Sequence, residues 1–479
     1  MPLSLYLHIP FCIHRCAYCD FNTYAGQERL IPAYVEALCR EIRQVAGSAP
    51  DRLQVHTIFF GGGTPSLLAP RQFEQILQTI HDSFILSPSV LSETSGTSGA
   101  SGTSGASETS ETSGTLDTSN TSDTSDTSAP FLSSSLLESS LEANPGTVTR
   151  ESLRSLRQLG FNRISFGVQS FHVGELRQLE RIHDPKDVLD AVRWARQAGF
   201  ENLNLDLIYG LPEQTLASWL ASLRQAVALA PQHLSLYALS IEPGTPFGRW
   251  AAHGLLPEPD PDLAADMYEA ASDYLAGQGY EQYEISNWSK PGFQCRHNLQ
   301  YWRNQPYLGF GAGAHGCFSH MRIANVLHIK TYLNRLSPNP LIPNPPIPNP
   351  PTSNYLIPDH IIPSSPFPLL PVPSFPISPA TMTHTRLTPF VEMQETLMLG
   401  LRLTQEGVSA QAFQARFGLD LIHVFGKEIT ELVGLGLLEW ASIPSPLSHS
   451  AEEGSGVRLR LTPRGRLLGN QVFLRFVGN

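Results

Sequence analysis

The chain has 479 residues, enough for two or three domains, with 41% hydrophobic and 16% charged residues, a composition that suits a soluble protein diluted by uncharged polar sequence. A net charge of -11 and a pI near 5.8 supply no basic surface for nucleic acid or an anionic membrane. The six cysteines, at 12, 16, 19, 39, 295 and 317, are too few for a disulfide scaffold of this size and favour a reducing compartment with a metal or redox role.

The opening "MPLSLYLHIPFC" lacks the basic start and long apolar core of a signal peptide. No apolar run approaches the ~20 residues of a membrane helix, so a cytoplasmic protein, not a transmembrane one, is expected. In chain order, short β-branched or aromatic runs predict strands at 5–9, 55–60, 140–144, 163–168, 202–209 and 233–239. Amphipathic stretches between them predict helices at 31–46, 149–160 and 187–199. Such alternation implies parallel βαβ units, and six of them predict an α/β fold with a partial (β/α)6 barrel over residues 1–330. A doubly wound sheet is the alternative.

Two stretches break the rhythm. Residues 92–129 are almost wholly Ser, Thr, Gly and acidic residues, which cannot bury enough apolar surface to offset their ordering entropy, and disorder is expected there. Residues 337–379 are Pro-rich and predict an extended, semi-rigid linker, with a ligand for an adaptor domain as the other reading. Beyond them, 389–418 and 423–440 read as helices and 457–477 as a strand, a turn and a last helix. These predict a small winged-helix-like C-terminal domain over 389–479, serving protein interaction or as a lid, since no basic recognition helix is present.

The chemistry concentrates in "FCIHRCAYCDFN", where Cys12, Cys16 and Cys19 stand as C-x3-C-x2-C with no fourth cysteine. Tetrahedral zinc would need His14 or Asp20 to complete the site. A four-iron cubane held by three cysteines would instead keep one iron open for a chelating ligand. "FFGGGTPS" (59–66), "LEANPGT" (141–147), "SFGVQSF" (165–171) and "LDLIYGLPEQT" (205–215) each fall at or after a strand's C-terminal end, the functional face of a parallel barrel. "LERIHD" (179–184) follows the third of these, and the glycines of the first are not spaced as a P-loop.

"YLHIPFCIHRCAYCDFN" resembles the N-terminal signature of radical S-adenosylmethionine proteins. The resemblance implies a [4Fe–4S] cluster on Cys12, Cys16 and Cys19, S-adenosylmethionine chelated to the open iron, and an electron donor for the cluster. The ordered set of motifs, with "MLGLRL" and "LTPRG" near the C-terminus, is similar to the oxygen-independent coproporphyrinogen III oxidase-like family, which includes haem chaperones. By motif position, Tyr6, Gly63, Thr64, Glu142, Gln169, Arg181 and Asp206 are then expected around S-adenosylmethionine, Arg181 suiting a carboxylate through its planar fork. The plain alternative for each is a buried structural polar group.

Three features separate the oxidase from the chaperone branch. The oxidase motif resembles C-x3-C-x2-C-x-C, whereas Phe21 follows Asp20 here, and the oxidase carries an arm before its first strand, whereas Tyr6 stands almost at the start. "CRHNLQYW" (295–302) contains H-N-x-x-Y-W, associated with haem binding in the chaperone branch. That motif implies His297 as an axial haem ligand, with Cys295 a second candidate and a hydrogen-bonded loop histidine as the plain alternative. The expected function is a haem chaperone delivering haem to an unidentified acceptor protein. The alternative is the radical oxidative decarboxylase of porphyrin biosynthesis, and a third is an interaction protein that has lost radical chemistry. No residue is assigned a catalytic role. Cys39 and Cys317 read as structural, and "GAGAHG" (311–316) as a flexible site wall.

Overall fold

The computed structural model describes residues 3–87, 136–338, 377–443 and 456–477. The stretch at 92–129 and most of the Pro-rich stretch lie outside the described residues. All six expected strands are present: β1 Leu3–Ile9, β2 Gln54–Gly62, β3 Glu138–Ala143, β4 Arg163–Gln169, β5 Asn202–Tyr209 and β6 His233–Ala238. They pair in chain order and all in parallel.

The crossover helices are α1 Ile31–Ser48, α2 Pro70–Ser83, α3 Arg150–Gln158, α4 Pro185–Gln197 and α5 Leu216–Ala228, with α6 Pro261–Gly277 beyond β6. Local chemistry sets their starts. Thr149, Asp184 and Thr215 cap α3, α4 and α5 by accepting backbone N–H groups of the first turn. Asp184 followed by Pro185 opens α4 two residues before the expected position, because proline is tolerated where a helical N–H has no partner.

The sheet runs further than the sequence pattern suggests. Beyond β6 it adds β7 Glu281–Glu284 and β8 Asn287–Ser289, with β8 antiparallel to both β6 and β7. After helix α7 Arg296–Trp302, β9 Tyr307–Phe310 pairs in parallel with the free edge of β1. Antiparallel strands β10 His315–Phe318, β11 Met321–Asn325 and β12 Thr381–Arg386 follow. Strands β7 and β12 end the sheet, and no pairing among the described residues closes it into a barrel. Because β12 joins β11, the sheet takes up residues beyond the Pro-rich stretch before the C-terminal part begins.

The two faces of the sheet differ, and the strand sequences show why. In β5 and β6, Leu203, Leu205, Leu207, Leu234 and Leu236 are buried in one core cluster with Phe60, Ile164 and Phe166. The same cluster includes apolar positions of α1, α2, α4 and α5, so the helices cover this face. Burying each such side chain is worth roughly 1.5–3 kcal/mol. The intervening positions (Ser165, Asn204, Asp206, Ser235, Tyr237) are polar and line a cavity. A parallel strand with both faces packed reads as continuously apolar; alternation here marks an interior kept open.

The C-terminal part has its own core of Met393, Leu397, Phe413, Phe425, Ile429, Leu459, Phe473 and Phe476. Its helices are α8 Pro389–Gly400, α9 Ala410–Phe417, α10 Leu421–Gly434 and α11 Gly469–Val477, around a small sheet of β13 Val408–Ser409, β14 Leu438–Ile443 and β15 Gly456–Leu461. The continuous helix expected over 389–418 is therefore two. Gly407, at φ +57°, turns the chain where a Cβ would lie 2.3 Å from the Leu459 carbonyl oxygen. The helix expected over 423–440 likewise ends at Gly434, and the chain continues as β14.

Candidate functional site

Cys12, Cys16 and Cys19 occupy the loop that leaves β1. The glycines after β2 hold that loop in place. Gly63 donates to the Ile9 carbonyl at 2.9 Å and Thr64 to the Phe11 carbonyl at 2.7 Å. A Cβ on Gly63 would lie 2.6 Å from the Phe11 carbonyl oxygen, so "GGGT" is shaped for backbone contact with the cysteine loop. Thr64 Oγ1 lies 3.6 Å from Cys12 Sγ, and Thr23 Oγ1 lies 4.0 Å from Cys19 Sγ. Arg181 Nη1 lies 3.4 Å from Cys16 Sγ while Nη2 donates to the Gly167 carbonyl at 2.6 Å.

Burial pushes the Cys12 and Cys19 thiols up, and neighbouring cysteines of the triplet add to the effect. Among the described residues no three His, Cys, Asp or Glu side chains are placed to hold a metal ion. That convergence is a demand of one ion, not of a multi-iron cluster whose cysteines each bind a different iron. His14, the residue zinc would have needed, lies 3.4 Å from Glu180. Three cysteines whose thiolates would repel one another, beside a guanidinium and two hydroxyls, are a donor set that fits an iron–sulfur cluster.

Next to the loop, the polar face of the sheet encloses a cavity of about 770 Å³. Tyr6, Glu142 and Asp206 line it, with Asp20 and Phe21 of the cysteine loop at its edge. Glu142 Oε2 accepts from the Gly62 N–H at 3.0 Å. Burial, and then the charge of Asp206, push the Glu142 carboxyl up to about 7. Asp206 accepts from Ser165 Oγ and Asn204 Nδ2, both at 2.8 Å. Of the other expected residues, Gly63, Thr64 and Arg181 gather at the cysteine loop. Gln169 ends β4 at φ +67°, where the register with β5 slips.

Sequence reasoning missed several lining residues: His8, Arg163, Asn204, Ser235, Tyr237 and Tyr301. For most of them the signal was present as polar residues on alternate positions of Leu-rich strands ("NLNLDL", "HLSLY"). Cys317, expected to be structural, lines the cavity from β10, as does His315 two residues before it. The Gly-rich run before them is fixed rather than loose. Gly311, at φ +103°, sits where a Cβ would be 2.5 Å from both the His8 carbonyl oxygen and the Tyr34 hydroxyl.

His297 on α7 is fully buried and lines the cavity. Its Nδ1 is 2.9 Å from Thr57 Oγ1 and its Nε2 is 2.8 Å from the Tyr301 hydroxyl. The ring stacks on Phe59 at 5.1 Å, and burial drives its pKa down to about 3, so the imidazole is neutral. Both ring nitrogens are thus engaged. Cys295 is buried outside the cavity lining, 3.4 Å from Glu138 Oε1, with its thiol pushed up to about 12 by burial. Glu138 also accepts the backbone N–H groups of Arg296 and His297 at 2.9 and 3.1 Å, which ties the start of α7 to β3.

The C-terminal part adds to the cavity wall. Met398 and Leu399 of α8 line the cavity, and ion pairs Arg322–Glu395 (2.9 Å) and Arg303–Glu406 (2.7 Å) join it to the sheet domain.

Residues 6–226 match the Radical SAM superfamily and 387–441 match the HemN C-terminal domain. A heme chaperone HemW of Bacillus subtilis is 33% identical over 476 residues, covering 99% of both chains. The heme chaperone HemW of Escherichia coli is 38% identical over 317 residues, 66% of this chain and 70% of its own. Among solved structures, the radical SAM coproporphyrinogen III oxidase HemN of Escherichia coli superposes with a TM-score of 0.68 at 21% identity, covering 99% of this chain and 90% of its own. At that identity the match speaks for the fold alone. Full-length similarity at this level shows that the chain belongs to the HemW family of radical SAM proteins.

Proposed function

We propose that the protein is a haem chaperone that carries a [4Fe–4S] cluster on Cys12, Cys16 and Cys19, binds S-adenosylmethionine beside it, and holds haem for transfer to an acceptor protein. The observation that carries this reading is similarity to a heme chaperone across 99% of both chains, joined to an aromatic-walled cavity beside the cysteine loop. When bound, the cluster supplies one-electron chemistry toward the sulfonium of S-adenosylmethionine, fed by an electron donor.

The chain's own residues bind and orient. Arg181 sets a positive charge beside the Cys16 sulfur and offers its fork to the methionyl carboxylate. Glu142 and Asp206 present acceptors for ribose hydroxyls from β3 and β5. Tyr6, Phe59, Tyr301 and Tyr307 give the cavity aromatic walls suited to a flat tetrapyrrole, with His297 as the ligand the family motif implies. Met398 and Leu399 shield the site from water.

Anaerobic reconstitution followed by paired assays tests the proposal. The expected result is about four irons per chain, lost in Cys12→Ala, Cys16→Ala or Cys19→Ala but kept in Cys39→Ala, together with about one haem bound per chain. Zinc in place of iron would remove the cluster. Turnover of coproporphyrinogen III without haem uptake would make the protein the decarboxylase instead.

A further inference from the structure

Arg163 begins β4 and lines the cavity, yet it is only 2% exposed. Its guanidinium donates no hydrogen bond to any described residue, and its Nε is buried without a partner. The acids that share its surroundings are already engaged. Glu138 accepts from Cys295, Ser140 and the backbone of Arg296 and His297. Asp206 accepts from Ser165 and Asn204. The nearby charges of Glu138 and Asp206 favour the guanidinium's charged form against burial, but its N–H donors are left without acceptors, which is costly in a buried site. Here the unmet fork stands in the wall of a cavity that is already large enough for a sizeable ligand.

We propose that Arg163 anchors a carboxylate of the bound ligand inside the cavity, and that this carboxylate is a propionate of the tetrapyrrole. The assignment rests on the haem reading above. A planar guanidinium meets a carboxylate through two parallel N–H···O bonds, which fixes orientation as well as position. Two ligands of this protein could bring a carboxylate, haem and S-adenosylmethionine. The second has its own guanidinium in Arg181, which contacts the cysteine loop, whereas Arg163 stands in the cavity wall with the first residues of β4. A propionate seated there would set the macrocycle against the aromatic walls of Tyr6, Phe59 and Tyr301.

The test titrates the full-length, cluster-reconstituted protein with haem and, separately, with haem dimethyl ester, whose propionates carry no charge. Arg163→Gln should weaken haem binding about 10- to 100-fold, the loss expected for one charged hydrogen-bonded pair. It should leave ester binding within about 2-fold of wild type, because the ester has no carboxylate to lose. Arg163→Lys, which keeps the charge without the fork, should fall between the two. S-adenosylmethionine affinity, measured in parallel, should not change. Equal weakening of haem and ester would mean that Arg163 only supports the fold of the cavity and would overturn the proposal. Loss of S-adenosylmethionine binding with haem binding intact would assign the carboxylate to the other ligand. Failure of the wild type to take up haem would overturn the haem reading and the propionate with it. Haem binding that is normal in both wild type and Arg163→Gln would overturn the Arg163 assignment alone.

Discussion

Arg181 couples the cysteine loop to the end of β4, with one guanidinium nitrogen 3.4 Å from Cys16 Sγ and another donating to the Gly167 carbonyl at 2.6 Å. Its Nε is buried without a partner, and each terminal nitrogen carries a second N–H that a ligand carboxylate can accept. Arg181→Met should lower S-adenosylmethionine affinity about 10-fold or more, by loss of a charge-assisted pair. Arg181→Lys should recover only part of it, because a point charge cannot reach both Gly167 and the ligand. Calorimetric titration of the reconstituted variants checks this. Wild-type affinity in Arg181→Met would place the carboxylate elsewhere.

The parts of the molecule legible in sequence were those written by local rules. The strands β1 to β6 announce themselves as short β-branched or aromatic runs, α1, α3 and α4 as amphipathic stretches between them, and the cysteine loop by spacing. Strands β9 to β12 were not legible. "YLGF" and "HGCF" are short and Gly-containing, and β11 finds its partner β12 only after the Pro-rich stretch. Non-local pairing of that kind leaves no periodic trace. Arg163 illustrates the limit within the site. Its side chain could be placed on the polar face by counting from Ser165, but only the three-dimensional arrangement shows that the nearby acids are bound to other donors.

Glu142 predicts a pH dependence. Its carboxyl is raised from an ordinary 4.5 to about 7 by burial first and Asp206 second. The folded state then binds a proton more tightly than the unfolded state. The stability this contributes is fully present below pH 4.5 and is lost as pH rises toward 7. Glu142→Gln keeps an acceptor for the Gly62 N–H and removes the titration. In cofactor-free protein, the stability of the variant relative to wild type should therefore rise between pH 5 and 8, by at most about 3 kcal/mol. Urea denaturation across that range checks it. Parallel pH profiles would mean that Glu142 ionises like an exposed carboxyl.

The chain ends that flank the two low-complexity stretches already lie side by side. The Ser87 N–H donates to the Val55 carbonyl and the Leu137 N–H to the His56 carbonyl, both at 2.9 Å, on consecutive residues of β2. On the second gap, Arg335 Nη1 donates to the Thr381 carbonyl at 2.8 Å. Deleting 92–129 and 344–376 therefore asks for no rearrangement of the sheet. Loop-closure entropy changes by only about 0.6 kcal/mol per halving of loop length, in the stabilising direction. The expected outcome is unchanged iron content and a Tm within a few degrees of the full chain. A large loss of folded protein would show that one of these stretches packs on the core.

Haem ligation by His297 must contend with a buried chain of hydrogen bonds. Ser4 Oγ lies 3.3 Å from His56 Nε2 and 2.6 Å from Thr57 Oγ1, which is 2.9 Å from His297 Nδ1, and His297 Nε2 is 2.8 Å from the Tyr301 hydroxyl. A neutral imidazole donates from one nitrogen and accepts at the other, so only one lone pair exists to offer a metal. Thr57 is bound from the Ser4 side and sits on a central strand, whereas Tyr301 stands on the seven-residue helix α7 and borders the cavity. Nε2 is therefore the nitrogen that can be released, by rotation of Tyr301 away from it. Tyr301→Phe removes the competing hydroxyl while keeping the ring that packs on Tyr307 at 4.6 Å. If His297 ligates the iron, Tyr301→Phe should bind haem more tightly, by roughly the 0.5–1.5 kcal/mol of one neutral hydrogen bond. His297→Ala should lose the Soret signature of imidazole ligation. Thr57→Val, which frees the opposite nitrogen, should weaken ligation by letting the ring turn. Haem spectra indifferent to all three substitutions would remove His297 as the ligand and turn attention to His315, whose ring lines the same cavity from β10.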